Sequence, residues 1–251
     1  MEHRDIVPRY LHGAGVEIGA FTTPIPGIKP IYVDRFAEYA GHKTNAEYYG
    51  DACDLPFYDH SLQYVASSHV LEHVANPLAA LKEWYRVLRH GGIIYMVIPD
   101  RRKTFDRHRE LTCVEHMVDD FRRGTTQCDP THIDDFIYQV EFSEFWANTP
   151  RELEQEKRDE LATKYRQAIG GGVEINIHFH VFQSATALEL IAAGNREQVW
   201  GGRIEPIEVH EGFPASLPNG FLIVARVNKP WTARFRSAFS SKGLRPDARR
   251  L

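Results

Sequence analysis

YYGDACDLPFYDHSLQYVASSHVLEHVANPLAALKEWYRVLRHGGIIYMVIPD, from Tyr48 to Asp100, is the stretch that decides the fold. Residues 62–66 form a short apolar run ending at Ser67 and Ser68, and residues 93–98 form a second, β-branched run that stops at Pro99. A helix is marked between them. Asn76 suits an N-cap, Pro77 suits a first helical position that needs no amide hydrogen, Leu78, Leu81, Tyr85 and Leu88 share a face, and Gly91 follows the end. A strand, crossover helix and strand of this length belong in a parallel sheet whose ligands lie beyond the strands' carboxyl ends.

Toward the amino terminus, residues 16–20 (VEIGA) read as a strand running into a glycine turn, and residues 31–33 as a second strand ending at Asp34. A carboxylate there matches the vicinal hydroxyls of a ribose, because its two oxygens can accept from both; the plainer reading of Asp34 is a surface turn residue. The connection FTTPIPGIKP carries three prolines and has little room for a helix, so an irregular loop is expected to make the crossing. Residues 35–42 suit a short helix and residues 47–49 a third strand. Gly13, Gly15 and Gly19 do not form GxGxxG, so a nicotinamide fingerprint is poorly supported.

The chain has 251 residues, 43% of them hydrophobic, enough for one large α/β core, and a formal charge of −4 gives no general case for nucleic acid. Cys53, Cys113 and Cys128 are far apart, which indicates neither a disulfide framework nor a thiolate zinc site. No stretch approaches the ~18 apolar residues of a membrane span, and the first residues lack the apolar core of a signal peptide. A soluble, cytoplasmic protein is the expectation.

Toward the carboxyl terminus, residues 101–182 leave the core as a mainly helical insertion. Leu111, Val114, Val118 and Phe121 form an apolar stripe, Asp129 and Pro130 open a second helix with His132 in its first turn, and Thr149, Pro150 and Glu152 suggest a cap for a third, highly charged one. Glu174, Asn176, His178 and His180 alternate with Ile175, Ile177, Phe179 and Val181, so in an extended strand all four polar groups would share a face. Histidines at i and i+2 could then line one pocket or ligate one metal, His178 and His180 being the candidate ligands, with His116 and His132 nearby; a half-buried strand with a wet face is the plainer alternative. A helix over residues 185–193, capped by Ser184 and stopped by Gly194, precedes two strands at 204–209 and 220–227. Residues 229–251 are basic and expected to be a flexible tail.

Three words, GDACDLPF, SSHVLEHV and RVLRHGG, occur in order and together resemble class I S-adenosylmethionine-dependent methyltransferases, in particular the methyltransferase type 11 group. The resemblance implies a Rossmann-like α/β sheet, mostly parallel with an antiparallel last strand, filling residues 1–228, with the helical insertion after the fifth strand as a substrate lid. Glu17, Gly19 and Ala20 match the family's first motif, although the usual glycine series is shortened. Asp34 would hold the ribose, Asp51 and the Ala52 amide the adenine, and Ser68 would complete the cofactor contacts where, with Ser67 and His69, the substrate side opens. The words PDRRKTFD, TCVEH and HFHV are similar to those of methyltransferases linked with polysaccharide or glycosylated-product biosynthesis.

Such an enzyme would use S-adenosylmethionine, with a divalent metal as an open possibility, to methylate a small molecule or sugar, at oxygen in the first instance. A hydroxyl acceptor must lose its proton, for which a histidine is suited; His178 or His180 is the base candidate, with His132 or His116 orienting it or the substrate. Asp100, Arg101 and Arg102, with Lys103, Arg107 and Arg109 close by, suit an anionic group on the acceptor, or else form a solvated basic loop. The alternatives are N-methylation and a non-catalytic cofactor-binding protein.

Overall fold

The computed structural model describes residues 1–39, 41–230 and 243–251. In chain order it contains α1 (His3–Tyr10), β1 (Gly15–Ile18), β2 (Ile31–Asp34), β3 (Glu38–Tyr39), β4 (His42–Lys43), β5 (Tyr48–Tyr49), β6 (Leu62–Ser68), α2 (Pro77–Val87) and β7 (Leu88–Pro99). There follow α3 (Val114–Arg123), α4 (Pro130–Gln139), α5 (Phe142–Phe145), α6 (Glu154–Gly170), α7 (Ser184–Arg196), β8 (Arg203–Phe213) and β9 (Gly220–Asn228). Seven strands make one sheet in the order β5-β2-β1-β6-β7-β9-β8. Counting only these seven, the order is 3-2-1-4-5-7-6. The first five are mutually parallel, and β9 runs antiparallel between β7 and β8. Register aligns Ile18 with Ser67 and with Val33, and Val33 with Tyr48, so the parallel strands end along one rim.

The central unit forms for the reasons its sequence gives. Asn76 Oδ1 accepts from Ala79 N at 3.0 Å, Pro77 opens α2, and Leu78, Leu81, Trp84 and Val87 are fully buried against the sheet. Trp84 donates Nε1–H to Ala52 O at 3.0 Å, while Glu83 Oε1 accepts from Leu55 N at 2.7 Å, so one helix face carries the core and also fixes the loop after β5. Trp84→Ala should cost about 3–5 kcal/mol through the cavity it leaves, and Trp84→Phe about 1–3 kcal/mol because the Ala52 carbonyl stays buried without its donor. Denaturant unfolding of the two variants checks both values.

The crossing from β1 to β2 is an irregular loop, as its prolines require, and it is tied down by Glu17, whose Oε1 accepts from Ile25 N at 2.8 Å. The described residues of the 35–42 stretch do not form a helix. The backbone turns there into the β3–β4 hairpin, and Thr44 secures its base by donating Oγ1–H to Phe36 O at 2.8 Å. Nor do residues 174–182 form a strand. Their amides are taken up elsewhere: Phe179 N donates to Glu72 O at 2.7 Å and Val181 N to Thr112 Oγ1 at 2.9 Å, which bends the stretch and abolishes the shared polar face. A 3₁₀ turn, Arg151–Leu153, precedes α6 in place of a Thr149 cap. Helix α7 runs through Gly194 instead of stopping there, because Gly194 lies under Trp200, whose ring a Cβ would meet at 2.0 Å.

The insertion has its own core, with Ile133, Phe136, Ile137 and Val140 of the second helical segment packed on Leu161 and Ala162. Of the basic segment from residue 229, Lys229 is buried and residues 231–242 lie outside the described residues. Residues 243–251 are laid against the sheet end: Tyr58 N donates to Gly243 O, Arg245 N to Pro56 O and Tyr49 N to Arg249 O, at 2.8–2.9 Å. Among the described residues no helix is long and apolar enough to cross a membrane.

Candidate functional site

The rim where the parallel strands end opens into a cavity of about 1420 Å³, to which β1 contributes Glu17, the turn after it Gly19, β2 Asp34, the loop after β5 Asp51, β6 Ser68 and the residue that follows it His69. Ala20 and Ala52 line it too, so all seven residues expected at the cofactor meet in one place. Gly19 has φ +66°, and a Cβ there would stand 2.7 Å from Val70 Cγ2, which makes glycine the residue the turn needs. Asp34 Oδ1 accepts from Phe36 N at 3.2 Å; burial raises its pKa, opposed by the backbone bonds and the Arg35 charge. Asp51 Oδ1 accepts from Cys53 N at 2.7 Å, and its Oδ2 faces Arg35 Nε at 3.2 Å. Arg35 also pairs with Glu174, so this guanidinium links the wall after β2 to the insertion.

Glu17 is 1% exposed, and its Oε2 is buried with no hydrogen-bond partner. Desolvation, only partly offset by the Ile25 amide, pushes its carboxyl pKa up to about 7. The folded state therefore binds a proton that the unfolded chain releases at lower pH. The associated stability is complete below the ordinary carboxyl range and lost as pH rises through about 7. The unliganded protein should lose at most about 3 kcal/mol between about pH 5 and about pH 8 from this group. Glu17→Gln should remove that slope, as measured by denaturant midpoints at both ends.

The histidines divide differently from the sequence expectation. His178 and His180 do not converge, so they cannot share a metal as a pair. His178 Nδ1 is 2.6 Å from Asp106 Oδ2, a carboxylate that also takes a hydrogen bond from buried Arg109 through its other oxygen at 2.7 Å. His180 is fully buried on the far side of the bend, with His116 and His132 at ring distances of 5.8 and 5.1 Å. None of His116, His132, His178 and His180 lines the cavity. Asp100, Arg101 and Arg102 do not line it either. Asp100 holds Arg102 in a two-oxygen ion pair that extends to Glu211, and Arg101 donates to Arg109 O at 2.5 Å. Arg102 is thus paired with carboxylates of the protein itself, and Arg101 is tied to a backbone carbonyl.

The imidazoles that reach the cavity among the described residues are His60, His69 and His73, and of these His69 and His73 follow β6. His73 donates Nδ1–H to Ile177 O at 3.0 Å, a loop-bracing contact, and burial first, then the neighbouring His178, drop its pKa to about 3. His69 stands directly after β6 with φ +54°, its Nδ1 3.7 Å from Glu72 Oε1. Burial, with His178 nearby, lowers its pKa to about 4, so at neutral pH it is an uncharged imidazole. Glu72 is fully buried, neither of its carboxylate oxygens has a hydrogen-bond partner, and its pKa is raised well above the usual range by desolvation. Sequence reading gave His69 no chemical role and passed over Glu72; the signal available was their place in SSHVLEHV, immediately beyond a parallel strand.

Residues 29–96, from the entry to β2 to the middle of β7, match the family model described as a methyltransferase domain. Over 46 residues the chain is 48% identical to a demethylmenaquinone methyltransferase of Staphylococcus epidermidis, covering 18% of this chain and 19% of that protein. The corresponding enzyme of Staphylococcus haemolyticus is 50% identical over 46 residues with the same coverage. The match thus spans about a fifth of the length of these curated relatives. Among solved structures, an S-adenosylmethionine-dependent methyltransferase of Thermotoga maritima, described as a possible histamine N-methyltransferase, is similar at 18% identity, with 90% of this chain and 88% of that one covered and a TM-score of 0.47. One from Methanosarcina mazei is similar at 15% identity, with 92% and 100% covered and a TM-score of 0.47. Residues 29–96 are thus similar to a methyltransferase domain, and they lie within a sheet of order 3-2-1-4-5-7-6.

Proposed function

We propose that this protein transfers the methyl group of S-adenosylmethionine to a hydroxyl of a small molecule, with His69 receiving the proton. The observation that carries the reading is the meeting, in one cavity, of Asp34 at the end of β2, the orphaned Oε2 of Glu17 beside Gly19, and His69 at the end of β6. These residues fit the cofactor. Asp34 suits the ribose diol, Glu17 Oε2 is an acceptor awaiting an ammonium, and Gly19 leaves room for close approach of a ligand to the backbone.

When bound, the cofactor supplies a methyl already activated on a sulfonium. The protein's task is to align the acceptor and dispose of its proton. His69, uncharged at neutral pH, takes the hydroxyl proton as the new O–CH₃ bond forms, and the Glu72 carboxyl beside its Nδ1 faces the imidazolium that results. Phe21, Phe36, Tyr39 and Phe179 give the cavity apolar walls, and Asn176 and Asn219 give it polar ones. This combination suits an uncharged acceptor with hydroxyls beside an apolar face, such as a sugar or glycoside.

The test is transfer from methyl-labelled S-adenosylmethionine to a panel of hydroxylated sugars and glycosides, run beside amine analogues. Label entering hydroxyl acceptors is the expected result. Preferential labelling of amines, or tight cofactor binding without turnover on either panel, would overturn it.

A further inference from the structure

Behind the cavity wall, four side chains of the insertion converge without any shared hydrogen-bonding solution. Helix α3 presents His116 and Asp120 at i and i+4 on one face, the first turn of α4 presents His132, and the bent stretch before α7 presents His180. His116 Nε2 lies 3.2 Å from His132 Nε2 and 3.3 Å from Asp120 Oδ2, and one donor atom from each of the four residues falls within 4.8 Å of all the others. Asp120 Oδ2 and His180 Nδ1 are buried with no hydrogen-bond partner, and both residues are at most 1% exposed. An N–H···N bond between His116 and His132 would use one proton and still leave those two acceptors bare. Orphaned buried acceptors are costly, so a group that satisfies all four is called for.

A cation does this. Zinc bound to imidazole nitrogens at about 2.0–2.1 Å places neighbouring ligands about 3.3–3.4 Å apart along the edges of a tetrahedron, close to the two shortest separations here. The outer contacts are those that orient metal ligands. His180 turns Nε2 to Ala75 O at 3.4 Å, leaving Nδ1 for the centre; His132 Nδ1 stands 3.2 Å from Asp129 Oδ1, leaving Nε2; and Asp120 Oδ1 accepts from Thr125 Oγ1 at 3.2 Å, leaving Oδ2. Three imidazoles and a carboxylate in four-fold geometry favour zinc over magnesium or calcium.

We propose that His116, Asp120, His132 and His180 bind one zinc ion in a closed, tetrahedral site. None of the four lines the cofactor cavity, so the ion is structural. It joins three parts of the insertion to the loop after β6, where Asn76 Nδ2 already donates to Asp120 O and Thr125 O at 3.2 Å and Glu72 O accepts from Phe179 N. That loop carries His73, Ala75 and Asn76 in the cavity wall, so the metal would set the position of the lid over the active site.

Elemental analysis of the full chain, as purified and after chelation followed by zinc titration, gives the first test, and visible absorption of the cobalt-substituted protein gives the second. The expected results are one zinc per chain, bound again after chelation, and the intense cobalt bands of tetrahedral coordination. Asp120→Ala and His180→Ala should lose the ion while keeping their helical circular dichroism, and His73→Ala should retain it. The His73 variant is the discriminating control because Glu72, His73 and His178 form a second convergent group among the described residues. Failure of the chelated wild type to take up zinc, octahedral cobalt spectra, retention of zinc in both the Asp120 and His180 variants, or its loss in a folded His73→Ala protein would each overturn the assignment.

Discussion

Asp34→Ala should weaken S-adenosylhomocysteine binding by two to three orders of magnitude or more. The residue ends β2, lines the cavity and offers a carboxylate where a ribose diol would lie. Each hydrogen bond from a neutral donor to a charged acceptor is worth about 1.5–3 kcal/mol, so losing two removes about 3–6 kcal/mol of binding. Folding should change little, because the Asp34 carboxyl is held by backbone contacts such as the 3.2 Å one from Phe36 N, and burial raises its pKa, so ionisation of this carboxyl opposes folding. Asp34→Asn keeps the shape and half the acceptor capacity and should fall between the two. Calorimetric titration of the three proteins measures the series. Equal affinity in all of them would remove Asp34 from the site.

The second large effect is on rate. His69→Asn should lower kcat by about 10²–10⁴-fold, the usual contribution of a positioned general base, with S-adenosylhomocysteine affinity unchanged. Asparagine is chosen because His69 sits at φ +54°, a conformation that Asn tolerates and most other residues resist. In the wild type the pKa of His69 is lowered to about 4, so this group stays unprotonated from neutral to mildly acidic pH. The rate should hold over that range and fall only as the pH approaches about 4. A His69→Asn enzyme of normal kcat, or an acid limb near neutrality, would assign the proton to another acceptor.

The sheet was legible because it is written in local signals. Asn76 and Pro77 start α2, apolar runs mark β6 and β7, and the end of β2 places Asp34, so strand order and one wall of the cavity could be read outward from one stretch. The histidines were not legible, for a reason of the same kind. Alternation in residues 174–181 implies a common face only if the backbone is extended, and its amides bond instead to Glu72 O and Thr112 Oγ1. Those partners lie far away in sequence, so no local period could announce them. The arginines after β7 lie away from the cavity, where Asp100 and Glu211 pair with Arg102 and the carbonyl of Arg109 accepts from Arg101, and ion pairing across the fold leaves no mark on composition. Gly194 read as a helix stop because close packing under Trp200 demands the same residue as a cap does.

The central claim is that the cavity at the carboxyl ends of β1, β2, β5 and β6 binds S-adenosylmethionine. Its most direct measurement is calorimetric titration of the wild-type protein with S-adenosylhomocysteine, with NAD titrated in parallel. Micromolar binding of S-adenosylhomocysteine at one site per chain, with none of NAD, is the result predicted; no binding, or preference for NAD, would contradict it.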